Sequence, residues 1–167
     1  MKISLRPITH QNWRQAAKLK VRPDQEHFVA SNLYSIAGSK FMHHGDDGMI
    51  WSNQPLAIYE GDEMVGFVMY NIEQTKGEGA FISRVMIDHA HQGKGYGKAA
   101  FALLLEQIKA EAGPKCKRIG ISYEPSNDIA RKLYASFGFV ETGEIEHGEV
   151  IARLPLAQAG EKMPNDA

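Results

Sequence analysis

At 167 residues, 43% of them hydrophobic and 23% charged, the chain is long enough to bury one sizeable core and has the make-up of an ordinary globular protein. A formal net charge of −1 favours neither nucleic acid nor an anionic membrane as partner, and the lone cysteine, Cys116, excludes an internal disulfide and agrees with a reducing, cytoplasmic setting. No stretch reaches the roughly eighteen apolar residues of a membrane span, and Met1-Lys2-Ile3-Ser4-Leu5-Arg6 lacks a signal-peptide h-region.

Residues 2–8 alternate Ile3 and Leu5 against Lys2, Ser4 and Arg6, which predicts a first strand ended by Pro7. Thr9 suits the cap of a helix running to about residue 20, with Trp13, Ala16, Ala17 and Lys20 on one side, and Pro23 breaks it. A second helical region is expected over about 25–41, with Phe28, Leu33, Ile36 and Ala37 toward the core. Residues 43–53 are polar and glycine-punctuated, a loop anchored by Met49, Ile50 and Trp51. Its His43, His44, Asp46 and Asp47 invite a metal reading, but adjacent ligands on a loop have no fixed geometry, so no metal site is assigned. Gly61-Asp62 sits between apolar runs at 56–60 and 64–72, the signal of a hairpin. Residues 81–87 form a further strand, and a helix follows from 95 to about 112, carrying Ala99, Ala100, Leu103, Leu104 and Ile108 and stopped by Gly113-Pro114. A short strand at 118–123, a helix at 126–137 capped by Ser126 or Asn127, and strands at 139–145 and 150–155 joined around His147-Gly148 complete a mixed α/β order. One domain is expected over 1–156, with 157–167 as a disordered tail.

The strand at 81–87 and the long helix enclose Gln92-Gly93-Lys94-Gly95-Tyr96-Gly97-Lys98. Three glycines let the backbone close on an anion, Lys94 and Lys98 add charge at the rim, and a helix start aims free N–H groups and a positive dipole end at the same point. A Walker loop fails on spacing, because three residues separate Gly93 from Gly97 and Ala99 stands where Ser or Thr is required. A Rossmann turn fits poorly: Asp88 to Gln92 intervene after the strand, and Lys115, Lys117 and Arg118 stand where an acid is expected. A plain glycine-rich connection remains open on these residues alone.

Taken whole, Gln92-x-x-Gly95-x-Gly97 resembles the acetyl-CoA motif of the GNAT family of N-acetyltransferases, and Asn127-x-x-Ala130-x-x-Leu133-Tyr134-x-x-x-Gly138-Phe139 resembles that family's other signature. The resemblance covers roughly residues 2 to 156. It implies a mixed, mostly antiparallel sheet with helices on both faces, acetyl-CoA as cofactor with CoA as product, and transfer of acetyl to an amine. It places the CoA diphosphate on residues 92–98, the pantetheine amides on main-chain groups of Val85, Met86 and Ile87, and the pantetheine arm also at Asn127. Ala130, Leu133, Tyr134 and Phe137 share one helical stripe, so Tyr134 reads either as a core aromatic or, by the resemblance, as general acid toward the CoA sulfur. A phenol with a reference pKa near 10 is protonated at neutral pH and able to donate.

An alkyl amine with a reference pKa near 10.4 is neutral about once in 2,500 molecules at pH 7, so some group must take its proton. In many relatives of the resembling family an acid on the strand before the phosphate turn serves, but the aligned position here is Ser83. The base is left open among Glu26, Glu73, Glu78, Glu124 and Glu144. Residues 22–34 fall where the family builds its acceptor wall, and Glu26, Phe28 and Tyr34 offer the carboxylate and ring faces that suit a polycation. Residues 22–32 and 81–95 also resemble the bacterial spermine/spermidine acetyltransferase branch, implying a polyamine acceptor. Arg84 would repel a polyamine unless it faces away or pairs with an acid such as Asp88; otherwise it signals an acceptor bearing a carboxylate. Amino-acid, aminoglycoside and protein amines, and a CoA-binding sensor without turnover, stay as alternatives; the family resemblance also admits a homodimer.

Overall fold

A computed structural model describes residues 1–41, 43–44 and 48–157, with the side chains of His43 and His44 outside the description. Asp46 and Asp47, and all of the expected tail beyond Ala157, lie outside the described residues. The elements are β1 (Ile3–Pro7), α1 (Trp13–Lys18), a 3₁₀ helix (Pro23–Phe28), α2 (Asn32–Gly38), β2 (His43–His44), β3 (Ile50–Glu60), β4 (Glu63–Glu73), β5 (Gly79–Ile87), a 3₁₀ turn (His89–His91), α3 (Tyr96–Ala112), β6 (Arg118–Tyr123), α4 (Asp128–Ser136), β7 (Val140–Glu146) and β8 (Glu149–Pro155).

The sheet runs β1-β3-β4-β5-β6-β8-β7, with the two-residue β2 added beside β3. Every pairing is antiparallel except β5 with β6. A parallel pair needs a long crossover, and α3 supplies it. Along β4 successive side chains alternate between faces: Val68 and Tyr70 join one apolar cluster with Ala100, Phe101 and Leu104 of α3, while Phe67 and Met69 join another with Ala16 of α1 and Ile36 of α2. Both faces of β4 are therefore covered, which is why 64–72 reads as a continuous apolar run rather than an alternating one.

Three expectations need correction. Thr9 does not cap α1; its hydroxyl accepts from the N–H of Gln11, and the helix starts only at Trp13. The single helix expected over 25–41 is two short ones, because Val29 is extended and Ser31 caps α2 by accepting from the N–H of Tyr34. With the phase reset at Ser31, Leu33 and Ala37 turn outward, whereas Ile36 is buried. The loop expected at 43–53 is mostly strand: β3 begins at Ile50, where Trp51 pairs with Glu73, and both arms of the Gly61-Asp62 hairpin are longer than the apolar runs that announced them.

Candidate active site

The site begins as a fault in the sheet. Ser83 is an extra residue in β5, since Met69 pairs with Arg84 and the next residue of β4, Tyr70, pairs with Ile82. The bulge is held by the Ser83 hydroxyl, which donates to the Met69 carbonyl at 3.2 Å. Bulges bend and twist the strand that carries them. β5 accordingly stays paired with β6 only from Gly79 to Ile82. From Ser83 to Ile87 its β6-facing edge has no strand partner among the described residues, while β6 goes on pairing with β8 through Tyr123. Two parted strands leave main-chain groups pointing into a gap.

Two neighbouring spaces open at that gap. The larger, about 450 Å³, is lined on one side by Val85, Met86 and Ile87 and on the other by Asn127, Ile129, Ala130, Leu133 and Tyr134, and the Gln92–Lys98 turn closes one end. The smaller, about 60 Å³, is lined by Ile82, Ser83, Arg84, Ser122, Tyr123 and Glu149. Phe28, Val29, Val85, Asn127 and Tyr134 line both and form the neck between them.

At the closed end of the larger cleft, Gly93 (φ 77°) and Gly95 (φ 80°) adopt left-handed backbone that other residues resist. Gly95 is the N-terminal boundary of α3, and the first helical bond runs from Ala99 N–H to the Gly95 carbonyl. The N–H groups of Tyr96, Gly97 and Lys98 precede that bond and lie at the positive end of a 17-residue helix, a donor set that suits an anion. Lys94 and Lys98 are exposed at the rim, with the Lys94 ammonium 5.9 Å from the Tyr96 ring centre. Gln92 is placed otherwise: its amide N–H₂ donates to the Ile87 carbonyl at 3.1 Å and to Gln25 Oε1 at 2.8 Å, so it ties the β5 edge to the 3₁₀ helix rather than pointing at the turn.

Tyr134 is 7% exposed. Its ring is wedged among Phe101 (5.1 Å between centres), Tyr123 (5.6 Å) and Phe139 (6.2 Å), which fixes the direction of the phenol. Burial, helped by the nearby Tyr123 and the Glu149 carboxylate, pushes the phenol well above its ordinary pKa. The group is a proton donor throughout the neutral range. Asn127 caps α4, its Oδ1 accepting from Ala130 N–H at 3.1 Å, and it lines both spaces. The Tyr123 hydroxyl donates to Glu141 at 2.8 Å, and Arg131 Nε reaches the same oxygen at 3.0 Å, which pins α4 to β7 behind Tyr134.

On the acceptor side the expectations divide. Phe28 and Ser83 line the smaller space, as does Arg84, whose Nε donates to the buried Ser35 hydroxyl at 3.1 Å. Arg84 is not paired with Asp88, which instead accepts from Lys20 N–H and Ala90 N–H. Burial lowers the Arg84 pKa, offset in part by the charges of Glu149 and Tyr34. Glu26 is exposed and lines a separate hollow with Ala17, Lys20 and Met86, away from Tyr134. Tyr34 is 70% exposed and lines neither space. Among the other acids weighed as base, Glu78 is tied to Lys117 at 2.6 Å and Glu144 to Arg153 at 2.7 Å. Burial would raise the Glu73 carboxyl, but N–H donors of the β4–β5 turn, led by Lys76 and Glu78, outweigh it and hold the group ionised. Glu124 lines neither space. The carboxylate that does line the slot, Glu149, is one that the sequence reading missed, and its Oε2 accepts from the Ser122 hydroxyl.

A long ligand with a diphosphate at one end and amide links along it fits this donor set: N–H groups at the α3 start, an open strand edge along β5, and a phenol at the far end. The model of the acetyltransferase (GNAT) family matches residues 10–139. The chain is 31% identical over 157 residues to a spermine/spermidine N(1)-acetyltransferase of Bacillus subtilis, covering 90% of this chain and 97% of that one. Among solved structures it is similar to a spermidine N-acetyltransferase from Vibrio cholerae in complex with CoA and spermine (TM-score 0.68, 17% identity, 94% of this chain and 96% of that one). It is also similar in fold to a ribosomal-protein-S18-alanine N-acetyltransferase from Escherichia coli (TM-score 0.66, 18% identity, 98% of this chain and 99% of that one).

Proposed function

The chain belongs to the GNAT acetyltransferase family and is an acetyl-CoA-dependent N-acetyltransferase, and from that premise we propose that it acetylates a primary amine of a polyamine such as spermidine or spermine. The observation that carries the reading is the neck: one buried phenol borders both a long cleft ending at a helix N-terminus and a small slot holding a carboxylate. A cofactor thioester and a cationic nitrogen need that arrangement. The aliphatic amine finds a counter-charge in Glu149 and a ring face in Phe28 or Tyr123.

Acetyl-CoA supplies the activated acetyl group. In the proposed mechanism the 93–98 turn binds the diphosphate through backbone N–H groups, and the free β5 edge at Val85 orients the pantetheine arm as an added strand would. Tyr134 holds the proton that the departing sulfur requires. Ile87 and Leu133 give the cleft apolar walls, which disfavour water beside the thioester.

One observation favours a second reading. Arg84 lines the acceptor slot, and a guanidinium there suits an acceptor that carries its own carboxylate, as an amino acid does. Release of free thiol from acetyl-CoA, measured with spermidine, spermine, amino acids and aminoglycosides side by side, separates the two. The polyamine reading expects spermidine or spermine to be turned over most efficiently; it fails if an α-amino acid is preferred or if no polyamine raises thiol release above background.

A further inference from the structure

We infer that Glu149 is the proton acceptor for the attacking amine, with Arg84 across the same slot disfavouring the charged form of that amine. This rests on the acetyl-transfer reading but not on the identity of the acceptor.

Glu149, Arg84 and Tyr134 all line the slot of about 60 Å³, a space that fits little more than a nitrogen and its neighbours. Glu149 opens β8, immediately after the tight turn in which His147 (φ 50°) and Gly148 (φ 85°) reverse the chain. The turn folds Glu149 back over the end of β6, and the Ser122 hydroxyl donates to its Oε2, leaving Oε1 for the amine. The titratable groups around it are Arg84 from β5, Tyr123 from β6, Tyr134 from α4 and, as its cross-strand neighbour on β7, Glu146. Tyr123 is already committed to Glu141, so it brings no free proton. Like charges held close disfavour each other, so Arg84 opposes the charged form of a nitrogen that enters beside it, against the counter-charge of Glu149.

The protons balance. The ammonium gives one to Glu149, which releases it to solvent; the C–N bond forms as the C–S bond breaks; Tyr134 gives its proton to sulfur and regains one from the newly bonded nitrogen.

The test uses the full chain and whichever primary amine the acceptor panel shows to be turned over fastest, so that loss of the polyamine reading leaves this one measurable. Glu149→Gln is expected to lower kcat/KM by ~10²–10⁴-fold near pH 7 with acetyl-CoA affinity retained. Because raising the pH supplies neutral amine directly, the deficit should shrink steadily toward pH 10, near the reference amine pKa of about 10.4. A merely structural loss would not shrink in that way. Glu146→Gln serves as the control and should keep wild-type turnover. Wild-type rates in Glu149→Gln, or a deficit that is constant with pH, would overturn the assignment.

Discussion

At the scale of single residues the account depends on a phenol that is kept protonated by its surroundings. Tyr134→Phe should preserve the ring contacts with Phe101 and Phe139 and remove the proton, so kcat should fall ~10²–10⁴-fold while acetyl-CoA still binds, as calorimetry and steady-state kinetics together would show. Burial raises the phenol above its reference pKa of about 10, so its ionisation adds no alkaline fall to the rate below that pH. The same shift fixes the sign of its effect on stability: the contribution is complete below about pH 10, the unfolded value, and is lost only as pH rises above it. Tyr134 was legible because helix periodicity and the signature around it coincide. Glu149 was not, since nothing in the sequence sets it apart from Glu141, Glu144 and Glu146, and only the β6–β8 register with the turn at His147-Gly148 brings it to the slot.

Individual elements carry the geometry that those residues use. Gly66 of β4 stands opposite Ile87 at the end of the open β5 edge, and a Cβ there would lie 2.4 Å from the Met86 carbonyl. Gly66→Ala should therefore push β4 and β5 apart, costing about 1–3 kcal/mol in denaturant unfolding and weakening acetyl-CoA binding. At the α3 start, Gly95→Ala forces a left-handed conformation on an L residue at a cost of roughly 1–2 kcal/mol, and a lowered Tm with reduced acetyl-CoA affinity is the expected pair of readings. The long helix and the hairpin could be read from sequence because each has an uninterrupted pattern between clear stops. The stretch from 22 to 38 could not: Ser31 looks like an ordinary helix residue until Val29 is seen to be extended, and the shifted phase is what turns Tyr34 outward, while Phe28 on the preceding 3₁₀ helix lines the neck.

For the molecule as a whole, the decisive feature is that one inserted residue, Ser83, parts β5 from β6 and creates both the cleft and the slot. The order of strands and helices was recoverable from the chain, and so was the glycine turn before α3, because spacing encodes them locally. Where two strands separate is a property of register between segments some forty residues apart, and no local pattern records it. If the cleft is the acetyl-CoA site, ligand at ~100 times its Kd should stabilise the fold by about 2.7 kcal/mol, a rise in Tm of several degrees. The most direct test of the central claim is thiol release from acetyl-CoA by the wild type and by Tyr134→Phe, each with and without spermidine. The account predicts release that depends on spermidine and collapses in the variant; release indifferent to the amine, or undiminished by loss of the phenol, would contradict it.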